Sequence, residues 1–318
     1  MKYIAGLLLI LMIVAGFSTM SMINRPNNLT ENVGIVLNKG ESVRSLADNL
    51  EKSGIINSSL LFRAVLRVLK VDKKLRAGEY MFAPRQNMLQ VAEKLRRGDV
   101  FYRKITIPEG LSSAQVKILI ENEANLSGEI TAKMPEGSLL PETYTFSKGD
   151  SRDGIVRQAQ KALEKVLDEV WADNQNKQVA DKKELLILAS IIEKETGVPE
   201  ERNDVSAVFT NRLQKGMMLQ TDPTVIYALT KGEQDFGRAL LKKDLDYDSP
   251  YNTYRNYGLP PTPICNAGRE AISAAAHPNN VNYLYFVASG KGGHLFASTL
   301  SAHNENVVLY RQALRKNK

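Results

Sequence analysis

The residues best suited to chemistry are two glutamates, Glu193 and Glu195, in the stretch "SIIEKET" (190–196). The spacing predicts a helix over 183–196. In it Leu185, Leu186, Ile187, Leu188, Ala189, Ile191 and Ile192 cover most of the circumference, and Ser190 and Lys194 form the polar stripe. A helix that is apolar almost all round belongs inside a domain. Glu195 follows Ile191 by four and Leu188 by seven, in line with large aliphatics. Glu193 follows Ala189 by four and Ser190 by three, nearer the polar stripe. Two apart on a helix, the pair cannot face one pocket together. A carboxyl among aliphatics loses hydration when it ionises, so its pKa rises and it keeps its proton near neutral pH, as a general acid must. Glu195 is therefore the better candidate acid. The competing reading makes both ordinary helix-end glutamates, exposed or paired with Arg202 or Lys194.

Other chemistries fit less well. Cys265 and the three histidines, His277, His294 and His303, invite a Cys–His nucleophile. Cys265 follows "PPTPI" and reads as an inert local variation, and His277 before Pro278 reads as structural. A Ser-x-x-Lys nucleophile is out of register, because Ser190 has Glu193 at i+3 and Lys194 at i+4. No H-E-x-x-H or paired cysteines occur, and "SGKGGH" (289–294) lacks the spacing of a phosphate-binding loop, so no metal and no cofactor are expected.

The 318 residues leave room for a membrane anchor and two modest domains. Tyr3 to Ile23 carry no charge, long enough to cross a ~30 Å hydrocarbon core. The exit "FSTMSM" lacks a small-x-small cleavage site, so an uncleaved anchor over 1–23 is expected, with Lys2 favouring an N-terminus inside. Residues 24–33 read as a polar linker. Three strand–turn–helix patterns follow, "IVLNKGESVRSLADNL" (35–50), "YMFAPRQNMLQVAEKL" (80–95) and "TIPEGLSSAQVKILI" (106–120), with Ser42 and Ser112 as N-caps. They suggest a small α+β module over 34–125 that binds or spaces. Residues 136–146 read as a loop and strand, 153–171 as a helix, and 126–318 as a second α+β domain. The net charge of +7 favours a polyanionic partner, but Lys and Arg are scattered and no nucleic-acid motif occurs, so nucleic acid is not expected.

Long motifs in one order decide among these readings. "ASIIEKET" (189–196), "ERNDVSAVFTNRLQKGMMLQTDPTVIYAL" (201–229), "SPYNTYRNYGLPPTPICNAG" (249–268), "AAAHP" (274–278) and "YLYFVASGKGGHLFASTLSAHN" (283–304) closely resemble the MltG (YceG-like) family of membrane-anchored endolytic lytic transglycosylases. "RAGEYMF" (76–82), "PEG" (108–110) and "LLPETYTF" (139–146) match more loosely. The resemblance implies an enzyme of the inner (plasma) membrane, single-pass, with a LysM-like module and a catalytic domain outside the cytoplasm. Its substrate would be peptidoglycan glycan strands and its partners peptidoglycan synthases. It would cut between N-acetylmuramic acid and N-acetylglucosamine without water, leaving a 1,6-anhydro end. The second glutamate of "EKE", Glu195, would be the acid and then the base.

Such chemistry needs one carboxyl, whereas a two-carboxylate hydrolase needs a second at roughly 5–9.5 Å. Asp222, in "LQTDPTV", is the candidate. It reads as a turn residue before Pro223 that lines the cleft. Tyr faces stack on sugars and Asn groups bond acetamido and hydroxyl groups, which makes Gln220, Tyr251, Asn252 and Tyr254 cleft candidates, against the reading of "YNTYRNYGLPP" as an ordinary loop. Lys291 and His294 would meet the acidic lactyl-peptide side of the substrate, unless "GKGG" is only a hairpin turn. The rival functions are a non-catalytic wall-binding scaffold and a water-using muramidase.

Overall fold

The computed structural model describes residues 2–71 and 75–316. The chain folds as α+β and divides into two compact units, Met1–Arg103 with Thr145–Asp150, and Lys104–Tyr144 with Ser151–Lys318.

The first unit contains α1 (Lys2–Asn24), β1 (Val33–Leu37), α2 (Val43–Lys52), α3 (Ser59–Val68), β2 (Gly78–Phe82) and α4 (Met88–Arg97). Strands β1 and β2 pair antiparallel, with Val33 opposite Phe82 and Leu37 opposite Gly78. Ser42 caps α2 by accepting from Ser45 N–H, and Asn87 opens α4 with a capping box to Gln90. Gly98, in the left-handed region at φ 68°, ends α4. Leu46, Leu50, Phe62, Leu66, Tyr80, Phe82 and Leu95 fill the core. The patterns at 35–50 and 80–95 therefore share one core here, and α3 lies between them in the chain.

The expected linker is not free. Asn27 is buried; its N–H donates to Gln86 O at 2.8 Å, its Nδ2 to Ala83 O at 3.1 Å, and its Oδ1 accepts from Arg85 N–H at 2.8 Å. Its carboxamide bonds backbone groups of the 83–86 turn, which is why a polar residue is buried in this stretch. Among the described residues no helix is long and apolar enough to cross a membrane.

The second unit contains α5 (Ser113–Glu121), α6 (Arg152–Ala172), α7 (Lys182–Glu195), α8 (Arg202–Gln214), α9 (Asp222–Thr230), α10 (Arg269–Ala276), the hairpin β5 (Tyr285–Ala288) and β6 (His294–Ala297), and α11 (Leu300–Lys316). Strands β3 (Arg103–Thr106) and β4 (Thr143–Phe146) pair with each other, and the dividing points of the units fall within them. Residues 104–144 belong with the second unit rather than with a module ending at 125. The reason is Asn266, fully buried. Its side chain accepts from Leu139 N–H at 3.0 Å and donates to Leu111 O at 2.9 Å, and backbone bonds join Gly110 N–H to Asn266 O and Asn266 N–H to Leu111 O.

Helix α7 runs through the core of this unit. Leu185, Ile187, Leu188, Ala189, Ser190, Ile191 and Ile192 are all buried in it. Asp181 caps it by accepting from Glu184 N–H at 2.8 Å. The alanines of α10, Ala271, Ala275 and Ala276, share its core cluster and let the two helices approach closely. The helix stops at Glu195 because Thr196 is extended, and Gly197 and Pro199 follow. Its last side chain is thereby delivered to the edge of the core.

Candidate active site

Glu195 sits at the base of a cleft of about 210 Å3, with Phe209, Arg212, Leu219, Gln220, Asp222, Tyr254 and Phe286 as its walls. The residue is half-buried: one edge opens on the cleft and the carboxyl lies among aliphatic and aromatic groups. Desolvation pushes its pKa up to about 7, assisted by the negative charge of Asp222. A hydrogen bond from the Thr221 hydroxyl, and the electrostatic influence of His294 and Arg212, pull the other way and keep the carboxylate form accessible. The group is thus poised to hold or release a proton near neutral pH.

Thr221 belongs to a buried rack of hydroxyls. Its N–H donates to Thr253 Oγ1 at 3.1 Å, Thr224 donates to Thr221 O at 2.7 Å, and the Thr224 and Thr253 hydroxyls lie 2.8 Å apart. All three threonines are no more than 2% exposed. The rack fixes the backbone of Thr221, and its hydroxyl donates to Glu195 Oε1.

Arg212 is the buried cation of the site. Its Nε donates to Leu284 O at 2.7 Å and its Nη1 to Leu219 O at 2.9 Å and Met218 O at 3.2 Å. Its guanidinium lies over the Tyr285 ring at 5.2 Å. One side chain on α8 thereby ties together the 217–221 loop and the start of the hairpin. Gln220, in that loop, holds φ at 50°, the left-handed region that a residue other than glycine enters at a cost. Its N–H donates to Thr253 O at 3.1 Å, which holds it there.

Asp222 is the first residue of α9, ahead of Pro223, and lines the same cleft. It accepts from the Tyr254 hydroxyl at 2.6 Å. Burial and this carboxylate push the phenol upward, so Tyr254 remains a donor. Gln220, Asp222 and Tyr254 are therefore brought together with Glu195.

Asn252 and Tyr251 are not. Asn252 is fully buried, donates to Leu245 O at 2.9 Å and Tyr247 O at 2.8 Å, and accepts from Tyr254 N–H at 2.9 Å. It folds the loop that carries Tyr254 and has no polar atom left for a ligand. The Tyr251 hydroxyl is 2.8 Å from that of Thr262, and its ring lies 4.9 Å from Tyr227, away from the cleft. The ordinary-loop reading applies to these two residues.

Glu193 points elsewhere. Its carboxyl accepts from Gly268 N–H at 2.9 Å, and burial raises its pKa. Lys194 donates to Gly110 O at 3.2 Å, and Arg202 reaches Glu109 at 3.9 Å, so neither cation pairs with Glu195. The glycines of "GKGG" form the hairpin turn, closed by Ser289 N–H to Gly293 O at 2.9 Å. His294 Nδ1 is 2.7 Å from Glu201 and the ring stands edge-on to Phe286 at 5.2 Å, so it supports the cleft wall from behind. Cys265 is buried against Ser190 O with its thiol pushed well up, and His277 is bonded to Ser273 O and Asp173 O. Thr221 and Arg212 were not singled out from sequence. Thr221 stands between Gln220 and Asp222, but a threonine before Asp-Pro reads as a helix start, and an arginine type gives no hint of burial.

The site is that of an enzyme-like cleft with a single half-buried, proton-poised carboxyl at its base. Residues 35–308 match the YceG-like family, and the chain belongs to that family. It is 33% identical over 322 aligned positions to an endolytic murein transglycosylase of Bacillus subtilis (strain 168), covering 91% of this chain and 87% of that protein. It is 27% identical to an endolytic murein transglycosylase of Streptococcus pneumoniae serotype 2 (strain D39), covering 88% of this chain and 59% of the longer pneumococcal protein. A crystal structure of a YceG-like protein of Listeria monocytogenes superposes with a TM-score of 0.55 at 31% identity, over 87% of this chain and 99% of that one.

Proposed function

We propose that this chain is an endolytic murein transglycosylase that cuts peptidoglycan glycan strands with Glu195 as its one acid and base. The observation that carries the reading is the placement of Glu195 in the cleft, held at about neutral pKa by opposed effects, while Asp222 beside it is engaged by the Tyr254 hydroxyl. In the first step neutral Glu195 gives its proton to the glycosidic oxygen, and the bond from that oxygen to C1 of the N-acetylmuramyl residue breaks. In the second, the Glu195 carboxylate takes the proton of the muramyl C6 hydroxyl, and that oxygen closes on C1. The proton count balances without water, and the product is a 1,6-anhydro end.

Thr221 fixes the orientation of the carboxyl and lowers the cost of its ionised state between the two steps. Arg212 contributes in the same sense. Gln220, Asp222 and Tyr254 are assigned to substrate binding. A second reading, a water-using muramidase, is kept because Asp222 shares the cleft. The tie from Tyr254 counts against Asp222 as base.

We assign α1 as a single-pass anchor in the inner (plasma) membrane, with the body outside the cytoplasm; the uncharged run from Tyr3 to Ile23 supports this. The first unit acts as a LysM-like positioning module, which its small α+β build supports. Anchoring would confine cutting to glycan near the membrane, beside peptidoglycan synthases, in trimming or ending new strands.

The test is mass spectrometry of purified glycan strands digested by the full-length protein in detergent, wild type beside Glu195→Gln. Anhydro-muramyl ends from the wild type alone are expected. Ends carrying an added water would establish the muramidase and make Asp222→Asn the next variant. Strands bound but left uncut by both proteins would establish a scaffold.

A further inference from the structure

The net charge of +7 sorts by unit. Residues 24–103 carry 15 Lys and Arg against 8 Asp and Glu, which accounts for all of it, while 104–318 carry 26 against 27. Within the first unit, α3 turns Phe62, Val65 and Leu66 to the core. Its other face runs Leu60, Arg63, Ala64, Arg67 and Val68 at helical spacing. Leu60 is 71% and Val68 80% exposed, and with Ala64 between them they form one aliphatic stripe. Among the described residues neither arginine pairs with a carboxylate, and α3 itself contains no acidic residue.

The position of α1 brings a membrane close to this unit, and the charge of the face says what kind of surface it fits. Ile23 packs against the core of the same unit, and only Arg25 and Pro26 separate the end of α1 from the pinned Asn27. Three residue steps reach at most about 10 Å. A membrane that holds α1 therefore lies against the first unit. A stripe of aliphatics flanked by unpaired arginines on a basic unit matches an anionic bilayer surface, with the aliphatics entering the headgroup boundary and the guanidinium groups reaching phosphates.

We infer that the outer face of α3 is a membrane-docking surface for anionic lipid, an inference that rests on the reading of α1 as an anchor. Docking would fix the height and tilt of the first unit above the bilayer.

The experiment uses the full-length protein with Ala64→Cys, labelled with a polarity-sensitive fluorophore; Cys265 is buried and stays unlabelled. It is placed in nanodiscs of phosphatidylglycerol with phosphatidylcholine, or of phosphatidylcholine alone. A blue shift in the anionic discs is expected, reversed by high salt and by Arg63→Glu with Arg67→Glu, each arginine contributing about five-fold to the docked population. Co-elution with the discs and an unshifted emission in both would overturn the inference while leaving the anchor intact. Failure to co-elute would overturn the anchor and the inference with it. A concentration-dependent blue shift in detergent would assign the face to a second copy of the chain and overturn the lipid assignment.

Discussion

Glu195 illustrates how one residue trades stability for reactivity. Its pKa in the fold is raised to about 7 from an ordinary 4.5, so the folded chain holds a proton that the unfolded chain releases between those values. Stability therefore falls as pH rises from about 4.5 to 7, and the full penalty, on the order of 3 kcal/mol, is present above 7. Glu195→Gln should be more stable than wild type at pH 8, with the gap closing toward pH 4.5; denaturant midpoints of both proteins across this range check it. The same substitution should lower cleavage by about 10²–10⁴-fold, read as anhydro ends released per minute. Thr221 has the opposite effect on the pKa. Thr221→Val removes the donor that favours the carboxylate, so the fall of kcat/KM with rising pH should move to higher pH. Thr221→Ser should restore the wild-type profile, which a merely structural role for the threonine would not require.

At the scale of elements, the cleft is assembled by side chains that bond backbone groups of other segments. Arg212 ties the hairpin and the 217–221 loop to α8, Asn252 folds the loop of Tyr254, and Asn266 joins residues 104–144 to the second unit. Each is a buried polar group whose loss leaves partners without a bond. Asn266→Ala should cost about 2–4 kcal/mol, seen as a lower midpoint in urea followed by circular dichroism. The competing outcome, an unchanged midpoint, would mean that the 104–144 segment is held by packing alone.

For the whole molecule, the division into units places the positive charge and α1 in one and Glu195 in the other. If anchoring sets where strands are cut, deleting α1 in cells should change the glycan strand-length distribution, measured by chromatography of strands freed of their peptides. An unchanged distribution, with the truncated protein still exported and active, would remove the anchor from the mechanism.

The sequence by itself determined the features that depend on neighbours along the chain. The apolar run of α7, the caps Ser42 and Ser112, and the glycine turn of the hairpin are all local, set by helical period, side-chain capping and allowed backbone angles. The apolar run made a raised pKa for Glu195 an expectation, but the groups that line its cleft, Phe209, Leu219 and Phe286, come from other segments. Only the tertiary structure decided the rest. Thr221 meets Glu195 across 26 positions and Arg212 meets Leu284 across 72, and nothing in either residue type announces its partner. Asn252 and Tyr254 sit two apart in one polar stretch, yet one is turned into the loop and the other onto the cleft. That choice depends on which backbone groups need a donor once the loop closes, and closure is a property of the folded chain.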